Sequence, residues 1–271
     1  MPASEAFAAS EAPDLPDTVT GISASQDTTV PSPLILAQGG EGGEGGEGGE
    51  GGEGGEAGFD ASKAATDPTV YLTGLDIIRA HYIAGLASYT AGDTLAGTEM
   101  FAHARSEAYI DLEPALTKLG VPEFDDLMQK AGDLALSKAP VAEVSSAADA
   151  VFAALDGAEA KAPGQATIET KTIVFADLLD RAALQYAKAL RDSSGDAYLD
   201  GYGFFQAAKA RSADVMAHLE VGRPEAAAAA REALAALSAA YPSIKKPGDS
   251  AVKPGPSLVA TSKFRLALSS R

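Results

Sequence analysis

The chain contains no cysteine. Disulfides, thiolate nucleophiles, Cys-ligated zinc and iron–sulfur clusters are therefore excluded. It also has no apolar run near the ~20 residues that span a bilayer. Its opening residues, 1–14, are acidic and lack the basic start of a secretory signal. Positive charge is scarce. Lys and Arg number 21 against 38 Asp and Glu, a formal charge of −17. That argues against direct nucleic-acid binding, which needs cations to neutralise phosphates. A soluble protein held apart by repulsion, or one that attracts cations, fits better. No Ser–His–Asp arrangement is detectable. The glycines of Asp200-Gly-Tyr-Gly-Phe204 lack the flanking strand and the GK[ST] ending of a phosphate loop.

What is present divides the chain in two. Residues 1–66 hold Pro, Ser, Thr, Gly and acidic residues, few aromatics and no apolar period. Such a segment cannot bury enough apolar surface to offset its ordering entropy, so a disordered leader is expected. Within it, residues 39–56 are six Gly-Gly-Glu triplets, read as a flexible, self-repelling tether. A short apolar run at 33–38 (PLILAQ) looks like the end of an export signal, with Ile35 and Ala37 at the positions before cleavage. The run is too short for a full h-region, and a periplasmic or secreted location is expected mostly because the whole layout resembles that of exported proteins.

Residues 67–242 read as an all-α domain, with possible halves 67–158 and 167–242. Thr66-Asp67-Pro68 opens a helix to about Thr90, because Asp caps and Pro suits the first turn. Ala91-Gly92-Asp93 stops it, and a second helix runs to about Leu119 with a kink or break at Pro114. Helices follow at about 123–138 and 140–155, then a linker at 156–165. Three more follow at about 168–192, 196–219 and 224–241. Residues 243–271 read as a mostly irregular tail with one short element of uncertain type at 257–270. Tyr198, Tyr202, Phe204 and Phe205 are expected in the core, and Gly201 and Gly203 at a close helix contact. Gly92-Asp93 and Gly195-Asp196 mark matching turns, each followed by Phe101 or Phe204. This is either a degenerate duplication or ordinary hairpin chemistry. The fold expected is antiparallel helical hairpins packed as one bundle or two small ones.

Three histidines carry the chemistry available. His81 lies eleven residues before Gly92 and His103 eleven after it. Helices joined by a short turn run antiparallel, so both residues sit at one height, ~16 Å from the turn. Gly74, Ile78 and Gly85 share the stripe of His81, and small residues there admit a close neighbour. Met100 and Glu107 lie at i−3 and i+4 of His103, on one helix face. His81, His103, Glu107 and Met100 form a candidate metal site. Imidazole and carboxylate suit Zn, Fe or Cu, with the thioether favouring copper. Tyr82, Tyr89, Glu99 and Asp111 are candidate supporting groups. A His–Glu pair at i, i+4 is also an ordinary surface pair. His218 is placed to meet the dipole of a helix C-terminus.

An export-like segment, a low-complexity spacer and a helical domain with His103-xxx-Glu107 on an early helix resemble exported bacterial helical metal proteins. The nearest group is the imelysin type, over residues 69–241. In that family's motif His and Glu stand three apart, whereas here they stand four apart. The resemblance implies two helical bundles and periplasmic iron binding. Taken together, the expected function is a non-enzymatic exported metal-binding or metal-relay protein, its partner a metal ion or another exported protein. The alternative is a structural or partner-binding helical module without a cofactor. An enzyme at an open metal position is a third reading.

Overall fold

The computed structural model describes residues 58–191, 195–248 and 251–270. The expected leader up to residue 57, including the Gly-Gly-Glu tract and the 33–38 run, lies outside the described residues. Residues 58–66, assigned to that leader by sequence, instead pack on the domain. They form a 3-10 turn at Ala61–Lys63, and the Phe59 and Ala64 side chains are buried. Phe59 lies against the gap at Gly74.

The described residues are helical, without strands. Helix α1 (Pro68–Thr90) starts where Asp67 accepts from the amides of Thr69 (2.8 Å) and Val70 (3.3 Å), with Pro68 at the first turn. It ends at Gly92, whose φ of +92° suits a residue without Cβ. Asp93 then caps α2 (Thr94–His103) through the Ala96 amide. Beyond α2 the helix widens into a π segment (Ala104–Tyr109) before resuming as α3 (Ile110–Lys118). Pro114 lies inside α3. The irregularity expected at the proline is therefore displaced upstream, to the turns beside His103. Helices α4 (Asp125–Leu136), α5 (Val141–Glu159), α6 (Ile168–Arg191), α7 (Asp196–Gly222) and α8 (Pro224–Ala240) follow. Helix α5 extends through the start of the expected linker.

Helix α1 is buried over most of its circumference, from Tyr71 and Leu72 through Ile77, Ile78 and Tyr82 to Tyr89, with Arg79, Ile83, Leu86 and Thr90 on one more open stripe. A helix so largely buried must be central. Accordingly α2, α5, α6 and α7 surround it, and one hydrophobic core joins both expected halves. Pairs of small residues set the gaps. A Cβ on Gly97 would stand 2.8 Å from the Gly85 carbonyl oxygen. One on Gly203 would stand 2.3 Å from that of Ala80.

The stretch 243–271, expected to be mostly irregular, holds a further helix, α9 (Gly255–Ser269). Three phenols strap the chain leading to it. Tyr186 donates to the Val252 carbonyl (2.8 Å), Tyr198 to that of Ser243 (2.8 Å) and Tyr241 to that of Ala182 (2.7 Å). Phe264 meets Phe175 edge to face, and Arg265 pairs with Asp180 at 2.9 Å. Arg223 donates to the Ala267, Leu268 and Ser270 carbonyls and so caps the helix end. Composition cannot announce such a docking partner.

Asp76 of α1 is 1 % exposed. Burial pushes its carboxyl upward, opposed by the guanidinium of Arg211 on α7. Arg211 forks onto both Asp76 oxygens and also onto Glu159 of α5 at 2.9 and 3.2 Å. Lys171 of α6 reaches Glu159 at 3.1 Å. One guanidinium thus ties α1, α5 and α7 together. Removing one partner of a buried pair strands the other charge. Arg211→Ala should therefore cost ~3–5 kcal/mol in urea denaturation. A loss below ~1 kcal/mol, the scale of exposed pairs, would show that the network is energetically inert.

Candidate metal centre

His81 sits midway along the central helix, so its ring is 3 % exposed. Its Nδ1 donates to the Ile77 carbonyl at 2.8 Å, one turn back. That bond fixes the ring plane and leaves Nε2 pointing away from α1. Two carboxylates from other helices face Nε2. Glu107 Oε2 of the π segment stands at 3.5 Å and Asp200 Oδ1 of α7 at 3.4 Å. His103, at the end of α2, places Nδ1 3.7 Å from Glu107 Oε1. The two imidazole centroids are 6.2 Å apart, with the rings nearly perpendicular at 84°. Equal spacing from the turn therefore brings the two rings together, as expected from sequence.

The π segment has a role in this. A π turn inserts one residue into the helical register and re-aims the side chains around it. Here it carries Glu107, whose two oxygens face both histidines. Its outer flank is clamped to the start of α4. Arg105 forks onto Asp125 at 2.6 and 3.0 Å, and Tyr109 packs on Phe124 with centroids 4.8 Å apart. On the far side, Phe204 of α7 closes edge-on against His81 at 6.2 Å, and Arg181 covers Phe204.

The ligand atoms of His81, His103 and Asp200 all lie within 4.8 Å of one another. Sequence reasoning missed Asp200. It is one acidic residue among 38, and its helix lies about a hundred residues downstream. The one local signal is its place beside Gly201 and Gly203, the pair that admits close helix contact. Met100 is buried on α2, and the grouped nitrogen and carboxylate donors form without it. Tyr82 and Tyr89 are not supporting groups, since they donate away from the site, to the carbonyls of Met128 and Ala139. Glu99 and Asp111 are exposed. His218 faces Glu169 of α6 at 3.7 Å, away from this cluster.

The electrostatics follow from burial and partners. Burial alone pushes the His81 imidazolium toward deprotonation. The Asp200 and Glu107 carboxylates override it and raise its pKa to about 9. Glu107 is held below the usual glutamate range, chiefly by His81. Asp200 Oδ1 is buried without a hydrogen bond, an exception to the rule that buried polar atoms find partners. Comparison with protein-family models, with curated proteins and with solved structures finds no match to this chain.

A histidine whose folded pKa lies above its ordinary 6.5 adds stability that is complete below pH ~6.5 and lost as pH rises through about 9. The metal-free protein should lose ~3 kcal/mol between those limits. In chelator-treated protein the denaturation midpoint should fall over that window, and His81→Gln should flatten the profile. A flat wild-type profile would refute the assignment of the charged ring.

Proposed function

We propose that this protein binds one transition-metal ion through His81, His103, Glu107 and Asp200, as a non-enzymatic exported metal-binding or metal-relay protein. The observation that carries the reading is the spacing around His81 Nε2. A charge-assisted N–H···O bond closes to ~2.7–2.9 Å, yet both carboxylates stand off at 3.4 and 3.5 Å. A tetrahedron with metal–ligand bonds of ~2.0–2.1 Å has edges of ~3.3–3.4 Å. The two edges at His81 Nε2 are close to that length, and the Asp200 oxygen, which makes no hydrogen bond, would supply one corner.

Two imidazoles and two carboxylates suit Zn²⁺, Fe²⁺ or Cu²⁺. Two carboxylates neutralise a divalent charge when both rings are neutral. Helix-borne ligands on a packed core hold such a geometry better than loop ligands do. The Ile77 carbonyl on Nδ1 is the outer contact that orients a ligating histidine. His103 is 34 % exposed, so an ion can enter and leave from its side, as a relay requires. The metal must displace the His81 proton below pH 9, so acid should release it.

A second reading rests on the same ring. A protonated His81 between two carboxylates is a self-sufficient buried ion cluster, consistent with a structural or partner-binding helical module. Calorimetric titration of the full chain with Zn²⁺, Cu²⁺ and Fe²⁺ separates the two. The metal reading expects one site per chain, abolished in the His81→Ala/His103→Ala double variant. Asp200→Asn should weaken it at least about tenfold, the lower end even for outer-sphere substitutions. Equal binding by wild type and double variant, or none by either, leaves the ion-cluster reading.

A further inference from the structure

We infer that Gly203 and Gly97 are the positioning residues of this centre, setting its size and so the ion it takes. The inference rests on the metal reading above. The ligands come from three helices: His81 from α1, Asp200 from α7, and His103 with Glu107 from α2 and its π extension. No ligand distance is set within a single helix, apart from His103 to Glu107. The gaps between helices set the rest, and each gap closes at a backbone contact beside the ligands.

On the α7 side the contact is Gly203 against Ala80, the residue preceding His81. A Cβ at Gly203 would meet the Ala80 carbonyl oxygen at 2.3 Å and its carbon at 2.8 Å. Gly203 lies three residues after Asp200, on the same face of α7. On the α2 side, a Cβ at Gly97 would meet the Gly85 oxygen at 2.8 Å and the Tyr89 amide nitrogen at 3.0 Å. Gly85 is one turn beyond His81. These obstacles are backbone atoms of the central helix, so the helices themselves must part. Restoring an ordinary ~3.5 Å contact at Gly203 demands a shift of about 1 Å. Ligand constellations tolerate about 0.5 Å. The buried Asp200 Oδ1, which makes no hydrogen bond, is the atom that such a shift carries away from His81 Nε2.

A widened polygon disfavours a small ion more than a large one. The test is the ratio of Zn²⁺ to Cd²⁺ affinity, measured on the full chain by competition with a chromophoric chelator. Gly203→Ala should retain helicity, lose at least about tenfold in Zn²⁺ affinity, and lose less for Cd²⁺, so that the ratio falls. Gly97→Ala should do the same from the α2 side, and it carries the test if Gly203→Ala does not fold. The control is Gly74→Ala, on the same central helix, where a Cβ meets only the Leu112 and Phe59 side chains at 3.1 Å. It should lower thermal stability and leave the ratio unchanged. An unchanged ratio in both Gly203→Ala and Gly97→Ala overturns the inference. So does an equal fall in Gly74→Ala, which would mark a general stability effect. Absence of Zn²⁺ binding by the wild type would instead overturn the metal reading itself.

Discussion

Two buried ionisable side chains on the central helix constrain everything around them. Desolvating a charge costs several kcal/mol unless an opposite charge and hydrogen bonds answer it. Helix α1 carries Asp76 and His81 inward, and α7 answers both, with Arg211 and Asp200. The two helices run antiparallel, so the two pairs flank a short stretch of their seam that includes the Gly203–Ala80 approach. That stretch therefore has two polar locks with a close helix approach between them. Register along it is hard to slip, because a shift would strand both buried charges at once.

The two locks differ in kind. Arg211 satisfies Asp76 with a fork and shares its remaining donors with Glu159, so that cluster is closed. At the His81 end, geometry leaves a buried carboxylate oxygen with no hydrogen bond. Ser88, Tyr109 and Gln185 also carry a buried oxygen without a hydrogen bond, and what sets Asp200 apart is the pair of histidines beside it.

The architecture was legible wherever it depended on local chemistry. Asp67-Pro68, Gly92-Asp93 and Arg223-Pro224 bound helices within a residue or two of their observed ends, because caps and breakers act through neighbouring backbone groups. Equal spacing of His81 and His103 about Gly92 foretold that their rings meet. Three features escaped for one reason: each is decided by partners far along the chain. Helix α9 forms where Phe175, Asp180 and Arg223 receive it. The π segment has no composition signal, and Pro114, the obvious breaker, lies beyond it within α3. Asp200 joins the histidines only because α7 packs on α1.

The decisive comparison for function is between a salt bridge and a coordination shell made of the same residues. A buried imidazolium with two carboxylates gains most by shortening its contacts, since the low local dielectric strengthens attraction at close range. Nothing in the side-chain chemistry of Asp or Glu forbids a closer approach, whereas a shared cation would require this spacing. The groups on different helices stand 3.4 and 3.5 Å apart. The close helix approaches at Gly203 and Gly97 leave no room for a Cβ. The proposed ion would take its ligands from side chains that separate helices place at these distances.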